Sequence, residues 1–167
     1  MSNAATSSPR WDPAFIADVI KAYDVRGLVD EQITVDFVRA VGQSFSRLMR
    51  SEGALSVVVA HDMRDSGPEL AEAFAEGVTE QGLNVINIGL ASTDEMYCAS
   101  GLLQVPGAMF TASHNPAAYN GIKLCRAGAR PVGQDTGLAT ISQELAEGVP
   151  ESNGAHGHVT NRDMLQD

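Results

Sequence analysis

Leu55 to Ala60 most limits what this chain can become: Leu-Ser-Val-Val-Val-Ala is apolar and β-branched almost without a break. A half-solvated strand alternates apolar with polar. A run this continuous needs cover on both faces, as a strand inside a parallel sheet has. The downstream segments can supply that cover. Pro68 opens a helical pattern with Leu70, Ala71, Phe74, Ala75 and Val78 on one face, closed by Gly82. Val85-Ile86-Asn87-Ile88-Gly89 reads as a second strand, Thr93 to Leu103 as a helix, and Ala108–Thr111 as a third strand. Upstream, Thr34 is placed to cap a helix over 35–51, with Val35, Val38, Val41, Phe45, Leu48 and Met49 at three- and four-residue spacing. Phe15–Ile20 has room for about one helical turn. This order predicts an α/β fold of three layers, a mixed and mostly parallel sheet between helices.

After Ser113 the rhythm changes. Ile122–Arg126 and Arg130–Val132 flank Ala127-Gly128-Ala129, which predicts a β-hairpin rather than another crossover. A last helix fits 135–147. Residues 1–14 read as a loose leader, 15–148 as one domain, and 149–167 as a linker and the start of a further domain. Cys98 and Cys125 form no metal spacing and no disulfide framework, so both read as core or near-core thiols. His156 and His158 read as solvated.

Charge narrows the function classes. The formal net charge of −10 argues against nucleic acid, whose recognition needs a basic face, and against an anionic membrane surface. No apolar run approaches the roughly 20 residues of a membrane-spanning helix, and the N-terminus shows no secretory signal. The expected compartment is the cytoplasm.

The chemistry concentrates where strand-like runs meet polar turns. Three such clusters are Tyr23-Asp24-Val25-Arg26-Gly27, His61-Asp62-Met63-Arg64 and Thr111-Ala112-Ser113-His114. If the strands are parallel, all three lie at the carboxyl edge of the sheet, where α/β folds gather ligands. Asn115-Pro116 forces a turn after Ser113-His114, and Asn120-Gly121 makes a second turn, so Ser113 and Lys123 sit ten residues apart on two arms of one loop. Arg26, Lys123 and the loop N–H groups together favour a phosphate-bearing ligand. Taken alone, Ser113 reads first as an ordinary turn serine. No G-x-S-x-G, Walker A or G-x-G-x-x-G accompanies it. His114 is open to a capping role or a substrate contact. His61-Asp62 is either half of a metal pair or a turn held by Asp62 with Arg64 as its partner, and the second is favoured because no further ligand falls at suitable spacing.

Thr111-Ala112-Ser113-His114-Asn115-Pro116 resembles the phosphoserine loop of the α-D-phosphohexomutases, in their phosphomannomutase/phosphoglucomutase branch. Lys21 to Gly27, His61 to Ser66 and Asn120-Gly121-Ile122-Lys123 resemble three further motifs of that family, in the family's order. The resemblance spans about residues 20 to 148 and departs locally at Asp94, where proline or glycine is common. It implies that Ser113 carries a phosphoryl group that interconverts hexose 1-phosphate and 6-phosphate through a bisphosphorylated sugar. It implies Lys123 as general acid/base or partner of the leaving oxygen, Arg26 and Tyr23 in the substrate site, and His114 in proton transfer or sugar orientation. It implies Mg²⁺ ligated by the phosphate on Ser113, and glucose or mannose 1,6-bisphosphate as activator. The D-G-D-x-D metal loop is missing from this sequence, so the remaining domains of a longer chain are expected partners and the isolated domain is expected to be inactive. Phosphoglucosamine mutase, or a non-enzymatic phosphosugar-binding module, stands as the alternative.

Overall fold

The computed structural model describes residues 9–164. It contains α1 (Pro13–Val19), β1 (Val25–Leu28), α2 (Val35–Ser51), β2 (Ser56–His61), α3 (Gly67–Glu80), β3 (Asn84–Leu90) and α4 (Thr93–Leu103). Then come β4 (Gly107–Phe110), β5 (Tyr119–Arg126), β6 (Arg130–Pro131), α5 (Leu138–Glu147) and β7 (Val159–Asn161). The strands form one sheet in the order β1-β5-β4-β2-β3-β7, with β6 beside β5. β2 is parallel to β3 and to β4, and β7 is parallel to β3. β5 runs antiparallel to β1, β4 and β6. The expected mixed α/β sheet between helices is what forms.

Local chemistry explains the element ends. The Thr34 hydroxyl accepts from the Phe37 N–H at 3.1 Å, so α2 begins where the sequence places it. Ser92 and Glu95 close a capping box on α4, and Thr93-Asp94 fall in its first turn, where acidic charge suits the helix dipole. The continuous run of β2 buries both of its faces. Val57 and Val59 join the larger cluster with Phe37, Phe45 and Phe74, while Val58 and Ala60 join Met96 and Ala99 of α4. The larger cluster gathers side chains from α1, α2, α3 and α5 on one side of the sheet, and of the described α-helices only α4 contributes to the smaller cluster on the other.

Four expectations need correction. The helix expected over 135–147 breaks at Gly137, whose φ of 151° lies outside helical space, leaving a short 3₁₀ turn at Gln134–Thr136 and then α5. Of the leader, residues 1–8 lie outside the described residues, but Trp11 stacks edge-on against Phe37, with ring centroids 5.5 Å apart, and its backbone N–H donates to the Leu145 carbonyl. The linker-like stretch contains β7, because the Val85 N–H reaches the carbonyl of His158 and the Asn84 side chain accepts the His158 N–H. Cys98 is exposed, whereas Cys125 is buried beside Met96 and burial pushes its thiol pKa up. His156 and His158 are exposed, as expected, and of the final pattern 162–167, residues 165–167 lie outside the described residues.

Candidate active site

The loop between β4 and β5 is the wide turn of an antiparallel pair. Met109 faces Lys123 across that pair, and the Thr111 N–H still donates to Gly121, so the two arms close at the base. Gly121 is required there. A Cβ would stand 2.1 Å from the carbonyl oxygen of Val25 and 3.1 Å from that of Thr111. Asn120 is fully buried, donates to the Ser66 hydroxyl at 2.8 Å, and so ties this base to the turn after β2.

At the tip, Ser113 has a φ of 52°, a left-handed conformation that costs a residue with a Cβ about 1–2 kcal/mol. The Thr111 hydroxyl accepts the Ser113 N–H at 3.0 Å, and the Ala112 carbonyl accepts the Asn115 N–H at 3.0 Å. These bonds hold the turn and leave the side chains of Ser113 and His114 exposed.

Arg64 braces the loop from below. Its guanidinium donates to the carbonyls of Ser113 (3.0 Å), Asn115 (2.8 Å), Pro116 (2.8 Å) and Tyr119 (3.0 Å). Asp62 fixes Arg64 in turn, accepting its N–H at 3.1 Å and lying 3.6 Å from its Nε. The turn reading of His61-Asp62 therefore holds. Among the described residues no three His, Cys, Asp or Glu side chains converge on a metal-sized site.

Beside the loop, Asp24 joins two cations. Its Oδ2 lies 2.5 Å from Arg26 Nη2 and 3.8 Å from Lys123 Nζ, and Asp24 is only 7 % exposed. Arg26 Nη1 also donates to Asn115 Oδ1 at 2.7 Å, which links this ionic group to the serine turn. Strand alternation explains the grouping. Val25 and Ile122 face each other and point into the large core, so Asp24, Arg26 and Lys123 point out of the opposite face. Tyr23 is 81 % exposed next to them, and neither it nor His114 makes a side-chain hydrogen bond among the described residues.

The sequence-predicted residues thus share one region, by a route that strand order alone does not suggest. The Tyr23–Arg26 cluster opens β1 instead of following a strand. It reaches the carboxyl edge of β4 because Val25 and Phe110 both lie level with Ile122, so β1 starts where β4 ends. Three contributors went unassigned in the sequence: Asp24 as the shared counter-ion, Asn115 as the link to Arg26, and Arg64 as the loop's brace. Opposite charges two apart on a strand, as in Asp24 and Arg26, are a readable sign of a same-face ion pair. The reach of Arg64 across 49 to 55 positions has no local sign.

Residues 17–150 match the family described as phosphoglucomutase/phosphomannomutase, alpha/beta/alpha domain I. The chain is 42 % identical over 130 residues to a phosphomannomutase of Vibrio cholerae, covering 76 % of this chain and 28 % of that protein. It is 42 % identical over 135 residues to the phosphohexose mutases of Xanthomonas campestris, covering 80 % and 28 %. Among solved structures, a phosphoglucomutase/phosphomannomutase family protein of Burkholderia thailandensis superposes with a TM-score of 0.81 at 27 % identity, over 93 % of this chain and 34 % of the other. This chain spans less than a third of the length of those curated relatives.

Proposed function

Because the chain belongs to the phosphoglucomutase/phosphomannomutase family through its α/β/α domain I, we propose that it carries the phosphoserine of a hexose-phosphate mutase, and that Ser113 is that residue. One observation carries the reading: an exposed serine hydroxyl, held on a left-handed turn, beside an ionic group that contains Arg26 and Lys123. A phosphoserine brings about −1.5 to −2 charge at neutral pH, and phosphoryl transfer depends mainly on positioning and charge compensation. In the first transfer the bond from Ser113 Oγ to phosphorus breaks while phosphorus bonds to a hydroxyl oxygen of the hexose phosphate. The hydroxyl proton passes to His114, and a proton from Lys123 reaches Oγ. The bisphosphorylated sugar turns over, and the reverse steps return its other phosphoryl group to Ser113. Tyr23 and Arg26 line the sugar's approach, and Asp24 holds the heads of Arg26 and Lys123 together.

Mg²⁺ needs several hard oxygen ligands in near-octahedral geometry. The described residues do not fit it, since no three acidic or imidazole groups converge and Asp24 is already committed to two cations. We assign its remaining ligands, and the grip on the sugar, to chain beyond this domain, with the isolated domain inactive. Glucose or mannose 1,6-bisphosphate serves as the phosphoryl source, and a cytoplasmic location belongs to the same proposal. Among the described residues no helix is long and apolar enough to cross a membrane.

The test is the mass of the full-length protein after incubation with glucose 1,6-bisphosphate. A gain of about 80 Da on Ser113, absent in Ser113→Ala, is the expected result. Binding of hexose phosphate without any covalent gain would instead favour the phosphosugar-binding module. Near-wild-type turnover in Lys123→Met would remove Lys123 from the chemistry. Comparing turnover of mannose, glucose and glucosamine phosphates distinguishes the mutase alternatives.

A further inference from the structure

Arg64 differs from Arg26 and Lys123 in that its charge is directed almost wholly at backbone. Its side chain is 11 % exposed, and it donates to four carbonyl oxygens of the Ser113–Tyr119 segment, with Asp62 as its acidic neighbour. The planar trans peptide turns this into an effect on the loop's amides. The carbonyl of one residue and the N–H of the next point in opposite directions across the same plane. When the Ser113 and Pro116 carbonyls turn inward to Arg64, the N–H groups of His114 and Ala117 must turn outward. Neither donates to a protein acceptor among the described residues. Outward amides next to a left-handed residue form the kind of concavity that binds anions.

We propose that Arg64 is a positioning residue for phosphoryl transfer. By gathering the loop's carbonyls it keeps negative oxygen ends away from the phosphoryl group on Ser113 and aims the His114 and Ala117 amides at it. This rests on the phosphoserine reading. An ammonium cannot replace the guanidinium, because a point charge with three donors does not span four carbonyls as a planar fork does.

The test uses Arg64→Ala and Arg64→Lys in the full-length protein, each confirmed as folded by near-ultraviolet circular dichroism. A misplacement of about 1 Å at a reacting group costs on the order of 100-fold, so kcat should fall about that much in both while KM stays within about threefold. Methylguanidinium should restore at least about tenfold of the lost kcat to Arg64→Ala and little to Arg64→Lys, whose side chain still fills the site. A folded variant with kcat within about threefold of wild type overturns the proposal, and if Arg64→Ala fails to fold, Arg64→Lys decides by the same criterion. Hydrogen exchange of the Asn115 and Tyr119 amides gives a readout that needs no catalysis. It should speed up about tenfold in either variant, and unchanged exchange overturns the bracing role even if Ser113 is never phosphorylated. A wild type that gains no phosphoryl group, yet shows the faster exchange on mutation, would sink only the phosphoserine reading.

Discussion

The two faces of the sheet are built on opposite terms. One buries Phe37, Phe45, Phe74 and Phe110 with side chains from four helices, and two of its ring pairs meet edge-on at centroid distances of 5.5 Å. Of the described α-helices, α4 alone serves the other. Its small cluster lies around β2, β4 and the far end of β5, and the neighbouring strand β1 presents Asp24 and Arg26. Around β1 that face carries charge instead of an apolar cluster, and the buried carboxylate of Asp24 is offset by the Arg26 and Lys123 cations beside it, as a buried charge must be. The difference separates two roles: the crowded face holds the fold, and the sparse face and its loop hold the candidate site residues.

That division can be broken in order of expected effect. Ser113→Gly relieves the left-handed strain at φ 52°, so stability should stay level or rise by up to about 1 kcal/mol. Turnover by the full-length protein should fall about 10⁴-fold or more, since the hydroxyl proposed to carry the phosphoryl group is gone. A variant that is less stable but still active would reverse the comparison. Phe74→Ala strikes the other face. Phe74 is fully buried, so the loss should be about 3–5 kcal/mol by chemical denaturation, with the turnover of the remaining folded fraction unchanged.

Gly121→Ala lies where the two faces' roles meet. Its Cβ would press on the backbone of Val25 and Thr111, so about 1–3 kcal/mol of stability should be lost together with activity, and loss of only one would show that the loop base is not shared. Smallest is Glu52→Gln, far from the site. The Arg126 guanidinium holds the Glu52 carboxyl below the usual carboxylate range. A depressed folded-state pKa stabilises above the unfolded value of about 4.3 and is lost as pH falls through the folded value. The wild-type advantage should be below about 1 kcal/mol at pH 7, because the pair is exposed and screened, and should vanish in acid denaturation series. An advantage that persists below pH 3 would point to packing instead of charge.

Much of this was readable in the chain. Thr34 as cap, the doubly buried run of β2 and the turn at Asn115-Pro116 rest on dihedral limits and on which faces need cover, and both act over a few residues. Gly137 misled the helix reading because a single residue's φ has no periodicity to betray it. The strand β7 was hidden in linker-like composition, because three residues bonded to an edge need no apolar pattern when they stay exposed. Cys98 was misplaced because a small thiol on a helix carries no sign of its facing.

The sequence by itself determined the alternation of strands and helices, the serine turn and the cations near it, since propensity, sterics and pattern are local. Only the tertiary structure decided that β1 begins level with the end of β4, that Asp24 joins Arg26 to Lys123, and that Arg64 crosses some fifty positions to hold the loop's carbonyls. Those are matters of register and reach. They are fixed when strands pair and buried donors compete for acceptors that only the assembled fold brings within reach.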